Sequence, residues 1–143
     1  MKYLIPGIII FFAVLASITL IFDWGRRGNP FVTEPIGDII VDSPKVNSEV
    51  GEKIAISGKA KGNWFFEASF PIQLQDPEGN ILATGTASAN GDWMTENFVP
   101  FSASLSFSIP TTTGYGIIIF KNDNPSGDPA RDKTFEVPVS FSK

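Results

Sequence analysis

The feature that most constrains the fold is a strict two-residue alternation in residues 100–110, PFSASLSFSIP. Its apolar set is Phe101, Ala103, Leu105, Phe107 and Ile109, and the positions between these residues are all serine. Successive side chains of a β-strand point to opposite faces, whereas an α-helix repeats about every 3.6 residues. The segment therefore predicts a strand with one buried face and one solvated face.

Six further segments carry strand signals and are separated by turn residues. They are residues 38–42, 52–60, 63–75, 81–89, 114–121 and 133–142. Seven short alternating strands in roughly 100 residues are typical of an immunoglobulin-like sandwich. We therefore predict an all-β, immunoglobulin-like β-sandwich of about seven strands, with a small barrel as the alternative fold.

Two of these segments also indicate where their strands lie in the sheet. Residues 114–121, GYGIIIFK, are apolar on both faces, which predicts a central strand that is covered on both sides. Pro138 falls on the outward set of the last segment and lacks an N–H donor. That strand is therefore predicted to lie at or near a sheet edge.

Residues 63–75 read as one long strand with an anomaly. The apolar positions alternate and are predicted to face the core; they are Trp64, Phe66, Ala68, Phe70, Ile72 and Leu74. The outward set then begins with Phe65 and Glu67, where solvent is expected. An exposed apolar group can mark a binding surface, so this pair is a candidate for function.

Residues 3–22 contain twenty residues without a charge, long enough for a helix that crosses the ~30 Å hydrocarbon core of a membrane. The favoured interpretation is one N-terminal transmembrane helix, with residues 1–24 as the anchor and its cytoplasmic tip. A cleaved secretory signal and a buried helix are the alternatives. Residues 25–37 carry Gly and Pro without periodicity and are predicted to be a linker, and residues 38–143 to form the sandwich domain.

The orientation of this helix depends on its flanking charges. Lys2 lies on one side and Arg26 and Arg27 lie on the other, so the positive charges nearly balance. A short N-terminal tail usually stays in the cytoplasm. We therefore expect a single-pass protein of the cell membrane whose C-terminal domain is extracytoplasmic.

Composition argues against several classes of function. The chain has neither Cys nor His, so thiolate and imidazole groups are unavailable for catalysis or metal binding. Its formal charge is −4 and no Lys/Arg cluster occurs, which argues against a nucleic-acid partner. We expect no enzymatic activity, no cofactor and no metal site. The least favoured alternative is a carboxylate-based hydrolase of cell-wall glycan that uses Glu67 and Asp92.

Two loops contain further candidate residues. Residues 121–133 include Asn124, Pro125 and Ser126 and have a loose likeness to an oxygen-rich calcium loop, but the terminal glutamate is missing. A turn fixed by Asx-type hydrogen bonds is favoured instead. In residues 89–98, Asp92 precedes Trp93, which either caps the open end of the sandwich or joins an exposed apolar patch.

Several segments together have the character of a known family. They are SGKAKGNWFFEASFPIQLQD, GDWM, FVPF, DNPSG and a final VPVSF, in this order. Jointly they resemble the immunoglobulin-like domain of bacterial spore germination proteins, also called the second GerMN-associated domain, over residues 39–143. The resemblance implies an extracytoplasmic binding or scaffolding module that often follows a membrane anchor or lies beside a GerMN domain, without catalytic residues to carry over.

The resemblance places Phe65 and Glu67 inside its most distinctive motif. We predict that one surface is built by Phe65, Glu67, Asp92, Trp93, Asn124, Pro125 and Ser126. This surface is either a ligand site or a structural clasp between loops and sheet. The favoured function is a membrane-anchored binding module for an envelope protein or a cell-wall polymer, and a purely structural, self-associating envelope protein is the alternative.

Overall fold

A computed structural model describes residues 37–142, which form eight β-strands and two single turns of 3₁₀-helix. The strands are β1 (Ile39–Ser43), β2 (Glu49–Val50), β3 (Lys53–Lys61), β4 (Ser69–Gln75), β5 (Ile81–Ala89), β6 (Phe98–Ser106), β7 (Tyr115–Lys121) and β8 (Thr134–Phe141). The 3₁₀ turns are Gly62–Trp64 and Pro129–Arg131. The described residues contain no α-helix, so the all-β prediction is confirmed for this part of the chain.

The strands form one curled sheet in the order β1-β3-β6-β5-β4-β7-β8-β2. Neighbouring strands are antiparallel except β2 and β8, which are parallel. β5 and β6 share only two residue pairs, and the sheet turns there from one layer to the other. One layer holds β1, β3 and β6, and the second holds β5, β4, β7, β8 and β2. This arrangement fits an immunoglobulin-like fold.

The core lies between these layers and is dominated by phenylalanine. Phe70 of β4 and Phe101 of β6 have ring centroids 5.1 Å apart, and the Phe101 ring lies 6.2 Å from that of Phe120 in β7. All three side chains are fully buried. Because burial of one Phe side chain contributes about 1.5–3 kcal/mol, these rings supply much of the attraction between the layers.

Strand positions agree with most of the sequence predictions. Pro138 lies in β8, whose outer side meets only the two-residue strand β2, so the predicted edge position is confirmed. β2 is an eighth strand, too short for any alternation to reveal. β7 is central as predicted, but Ile117 and Ile119 on its outer face are only half-buried. The prediction that β7 is covered on both sides is therefore wrong within residues 37–142.

The single long strand predicted over residues 63–75 is also wrong. Strand β4 begins only at Ser69, after a 3₁₀ turn and a tight turn. Glu67 and Ala68 have φ values of 49° and 62°, and Phe66 and Ser69 exchange backbone hydrogen bonds of 3.0 and 3.1 Å. Positive φ at both central residues is the requirement of a type I′ turn. The chain reverses there, which interrupts the pleat of the strand.

This reversal inverts the predicted facing of two neighbouring rings. Phe65 is 4% exposed and packs in the core, with its ring centroid 5.1 Å from that of Phe70. Phe66 is 40% exposed, although the alternation predicted that it faces inward. The physical reason is that a two-residue period holds only while the backbone stays extended.

The predicted anchor, residues 1–24, and all but the last residue of the predicted linker lie outside the described residues. Both stay predictions. Within residues 37–142, no helix has the length and apolar character needed to cross a membrane.

The inverted facing of the two rings can be tested by truncating each one. Phe65→Ala is expected to lower the free energy of unfolding by about 3–5 kcal/mol, because it empties a buried aromatic site. Phe66→Ala, the matched control, is expected to lower it by less than about 1 kcal/mol. Urea unfolding followed by tryptophan fluorescence measures both. A larger loss for Phe66→Ala than for Phe65→Ala would contradict the described packing.

Candidate functional site

Three loops meet at one end of the sandwich, which we call the loop end. They are residues 62–68 between β3 and β4, residues 90–97 between β5 and β6, and residues 122–133 between β7 and β8. β3 and β5 are both antiparallel to β6, and β5 and β7 are both antiparallel to β4. The three strands therefore run in the same direction and end together. Loops grouped in this way on a rigid sandwich commonly carry binding function.

Backbone hydrogen bonds attach the first of these loops to its neighbours. The N–H of Asp123 donates to the carbonyl of Trp64 at 2.9 Å, and the N–H of Ala89 donates to the carbonyl of Ala68 at 2.8 Å. The first bond reaches the start of the third loop, and the second reaches the last residue of β5, directly before the second loop. The loop of residues 62–68 is therefore the central member of the group.

Gly62 allows the second loop to approach even more closely. A Cβ atom at this position would lie 1.9 Å from the carbonyl oxygen of Thr95 and 2.4 Å from that of Trp93. Distances this short are incompatible with any side chain. Glycine at residue 62 is therefore a condition for packing residues 93–95 against the first loop.

The side chain of Trp64 holds the first loop to the core by packing contacts alone. Its side chain is buried, and its ring meets Phe70 edge-to-face at 5.7 Å. The indole N–H has no hydrogen-bond partner among residues 37–142. A buried donor without a partner costs about 1–3 kcal/mol, so the aromatic contacts must outweigh that penalty for the ring to stay inside.

The third loop is fixed by two asparagine side chains. Asn124 donates to the carbonyl of Asp128 and to the carboxylate of Asp132, both at 2.8 Å, and accepts from the hydroxyl of Ser126. Asn122 donates to the carbonyl of Arg131 at 3.0 Å and accepts from a backbone N–H. The predicted Asx-type turn is confirmed. In the described part of the chain, no group of three acidic side chains is arranged to hold a metal ion.

A cleft of about 430 Å³ opens between the first and third loops. Its lining includes Phe65 and Phe66 from the first loop, and Asn124, Pro125 and Ser126 from the third. The cleft therefore combines an aromatic wall with a rim of amide and hydroxyl groups. Pockets of this size are typical of small-ligand or short-segment recognition.

The groups around the cleft differ in their availability to a partner. The two asparagines are occupied within their own loop, and Lys133 forms an ion pair with Asp38. The side chain of Arg131 is 73% exposed and lies 3.9 Å from Asp128, a distance at which an exposed ion pair is weak. A partner would therefore meet the exposed ring of Phe66 and the guanidinium of Arg131.

The structure brings four of the seven predicted site residues to this cleft: Phe65, Asn124, Pro125 and Ser126. Glu67 lies in the tight turn and is exposed, outside the lining. Asp92 and Trp93 belong to the second loop and do not line the cleft either. The Asp92 carboxylate accepts from the N–H of Met94 at 3.0 Å, so it shapes its own turn.

Sequence reasoning missed two side chains that the cleft exposes. The alternation predicts a buried Phe66 because nothing in the sequence marks the left-handed turn at Glu67 and Ala68. Neither Gly nor Asn, the usual signals of such a turn, stands there. Arg131 is a single cation in a loop, and no spacing marks it. Only the placement of the third loop against the first shows that Arg131 lies at the cleft.

Comparison with known protein families gives a match over residues 38–128. The matching family model is described as the immunoglobulin-like domain of bacterial spore germination. The matched region begins just before β1 and ends within the third loop. No curated protein and no solved structure matches the chain significantly.

The close approach at Gly62 predicts a large effect of the smallest possible substitution. Gly62→Ala is expected to lower the free energy of unfolding by more than about 2 kcal/mol, because the added methyl group overlaps two carbonyl oxygens. Gly114→Ala is the control, since a Cβ there meets no atom within 4 Å. Thermal and urea unfolding of both variants measure the difference. If both variants lowered the free energy of unfolding by the same small amount, residues 93–95 would not pack closely against Gly62.

Proposed function

The chain belongs to the family of immunoglobulin-like domains of bacterial spore germination, and from this we propose that it is a binding module of the bacterial cell envelope. The observation that carries the proposal is the loop-end cleft, where an aromatic ring and a cation are exposed beside a loop fixed by its own hydrogen bonds. The partner in this proposal is an envelope protein or a cell-wall polymer.

The construction of the cleft supports binding because its walls are already ordered. Residues 122–133 are held by Asn122 and Asn124, and residues 62–68 are held by Trp64 and Phe65. Ordering a mobile side chain on binding costs about 0.5–1.5 kcal/mol, so walls that are ordered in advance lose less affinity. In this proposal the clasp and the ligand site are parts of one structure: the asparagines hold the loop, and Phe66 and Arg131 contact the partner.

The volume of the cleft limits what can enter it. At about 430 Å³ it accepts a short segment rather than a folded surface. A projecting stretch of a protein or a few units of a polymer fits this limit. The contacts in the proposal are stacking on the ring of Phe66 and hydrogen bonds or an ion pair with Arg131.

We also propose that residues 1–24 anchor the module in the cell membrane and that the domain is extracytoplasmic. The uncharged run of residues 3–22 supports the anchor. The proposal assigns no catalytic step to the domain, because the chain has no Cys and no His. The two carboxylates considered for hydrolysis, Glu67 and Asp92, lie on different loops and outside the cleft lining.

Binding through the cleft can be tested with a double substitution, Phe66→Ala with Arg131→Ala, in the sandwich domain alone (residues 38–143), because the proposed anchor would attach the full chain to the envelope without the cleft. The double variant is expected to bind isolated cell envelopes at least about tenfold more weakly, as loss of an aromatic and an Arg contact does at binding hot spots. Cosedimentation over a range of protein concentrations measures the change. Because both side chains are exposed, the thermal unfolding temperature should stay close to that of the parent protein.

Val46→Ala serves as the matched control for this experiment. Val46 is 59% exposed and lies after the end of β1 that is remote from the loop end. Its substitution should leave envelope binding unchanged. Equal binding by the double variant, the control and the parent protein would overturn the cleft as the binding site.

The proposed location has a separate test. Protease added to intact cells that express the full chain is expected to digest the sandwich domain while cytoplasmic proteins stay intact. Immunoblotting against a C-terminal epitope measures the loss. Complete protection of the domain in intact cells, together with digestion after lysis, would contradict the extracytoplasmic topology.

A further inference from the structure

The outer face of β3 and β6 is basic, although the domain as a whole is acidic. Strand register places ten side chains on this face in five cross-strand pairs. The pairs are Lys53–Ser106, Ala55–Ser104, Ser57–Ser102, Lys59–Pro100 and Lys61–Phe98. We call these ten residues the lysine face. It carries three cations and no acid, whereas residues 37–142 as a whole carry thirteen acidic and seven basic side chains.

The lysines of this face are not used in ion pairs within the part of the chain that the structure describes. Among residues 37–142, the cations in ion pairs are Arg131 and Lys133, and both lie in the third loop. The acids that border the face, Asp42 in the bulge of β1, Glu52 before β3 and Glu96 before β6, form no ion pair in this range either. The three ammonium groups therefore remain available to an anionic partner.

Two of these lysines converge on one aromatic ring. The ammonium groups of Lys61 and Lys59 lie 4.7 and 5.6 Å from the centroid of the Phe98 ring. The two like charges repel each other there, and their attraction to the ring offsets part of that repulsion. An anionic group beside the ring would be attracted by both lysines and could accept a charge-assisted hydrogen bond from each. The pair is therefore suited to a phosphate group.

The chain enters the domain beside this pair of lysines. The N–H of Lys61 donates to the carbonyl of Asp38 at 2.7 Å, and residue 38 is the first residue of the sandwich domain. The predicted linker, residues 25–37, spans about 20 Å as a flexible chain. An anchor formed by residues 1–24 would therefore keep the lysine face within reach of the lipid headgroups around it.

We propose that the lysine face lies against the membrane that holds the anchor and binds anionic phospholipid headgroups, an inference that rests on the anchor of the proposed function. Lys53 and Lys59 are about 20 Å apart along β3, so the cations are spread over a surface and not gathered in a pocket. The phosphates of a bilayer surface are spread in the same way. Between these two lysines the face carries only serine and alanine, whose small side chains would not hold it off a planar surface.

The position of the attachment favours a membrane over a soluble polyanion. Attachment through residue 38 brings the bilayer to this face without a separate encounter, whereas a polymer in solution must first be captured. Each lysine near an anionic surface strengthens binding about fivefold, so three give about a hundredfold. This is too weak to collect dilute protein but sufficient to orient a domain that is already tethered.

The orientation that follows keeps the proposed binding cleft accessible. The cleft lies between the first and third loops, and its lining includes no residue of the lysine face. A domain that rests on the outer face of β3 and β6 therefore presents the loop end sideways, close to the membrane surface.

Fluorescence quenching tests the proposal, because the chain has no cysteine and one introduced thiol can be labelled alone. The full chain is reconstituted in vesicles of phosphatidylglycerol and phosphatidylcholine that contain a lipid with a nitroxide on its headgroup. A label at Ser104→Cys, on the lysine face, is expected to be quenched several-fold more than one at Thr84→Cys, on the outer face of the opposite layer. In 1 M salt the difference should disappear, since the screening length falls to about 3 Å.

A charge reversal identifies the lysines that are responsible. Lys59→Glu is expected to weaken the association about 25-fold, because it removes one cation and adds one anion, and quenching at residue 104 should fall to that at residue 84. Lys121→Glu on β7 changes the net charge equally and is the matched control, which should leave quenching at residue 104 unchanged. Unfolding temperatures within a few degrees of the parent protein show that the variants are folded.

Each result decides the proposal. Strong quenching at residue 104 that needs phosphatidylglycerol and Lys59 supports it. Equal quenching at residues 104 and 84, quenching that is the same in pure phosphatidylcholine, or equal effects of Lys59→Glu and Lys121→Glu would overturn it. A response of the residue-104 label to soluble polyphosphate, without quenching by the vesicles, would assign the face to a soluble polyanion and also overturn it.

Failure of the anchor is distinguished by vesicle flotation of the full chain. Flotation in 1 M salt reports the anchor, because the charges of the lysine face are screened there. A chain that does not float in 1 M salt has no anchor, and its flotation at low salt then tests the lysine face alone. Flotation at low salt with phosphatidylglycerol, lost with Lys59→Glu, would support the face without the anchor, and no flotation would overturn both.

Discussion

The edge-to-face packing of Phe70 against Trp64 and Phe65 is the interaction on which the loop end depends. Phe70 is the first buried side chain of β4, and it also meets Phe101 from the opposite layer. One ring therefore connects both layers of the core to the loop of residues 62–68. This packing explains the shape of the loop. The chain must bury the rings of two successive residues, Trp64 and Phe65, and then reverse direction before β4 begins.

The same packing explains why the candidate site has both rigid and accessible parts. Once Trp64 and Phe65 are buried, the tight turn that follows leaves Phe66 at the surface, beside the third loop. The loop of residues 122–133 satisfies its own polar groups through two asparagines, so it needs little support from outside. The exposed ring of Phe66 and the guanidinium of Arg131 are then the groups that the proposed binding module offers to a partner, on an ordered frame.

Much of the fold could be predicted because strand pleating has a simple period. The serine-spaced run of residues 100–110 and the proline at residue 138 were sufficient to identify a buried-face strand and an edge strand. The left-handed turn at Glu67 and Ala68 could not be predicted, because φ there is imposed by tertiary packing and not by residue type. The residues predicted for the site lie on three loops that the structure brings to one end of the sandwich. Only the placement of the third loop against the first separates the residues that line the cleft from those near it.

Amide hydrogen exchange tests most directly whether the loop of residues 62–68 joins the loop end to the core. The amides of Asp123 and Ala89 donate hydrogen bonds to carbonyl groups of this loop, and neither bond belongs to a ladder between two strands. Both amides are expected to exchange as slowly as amides in the centre of β4, since their hydrogen bonds can open only when the aromatic packing opens. Exchange at the rate of exposed turns, with β4 still protected, would show that the loop is not held by the core.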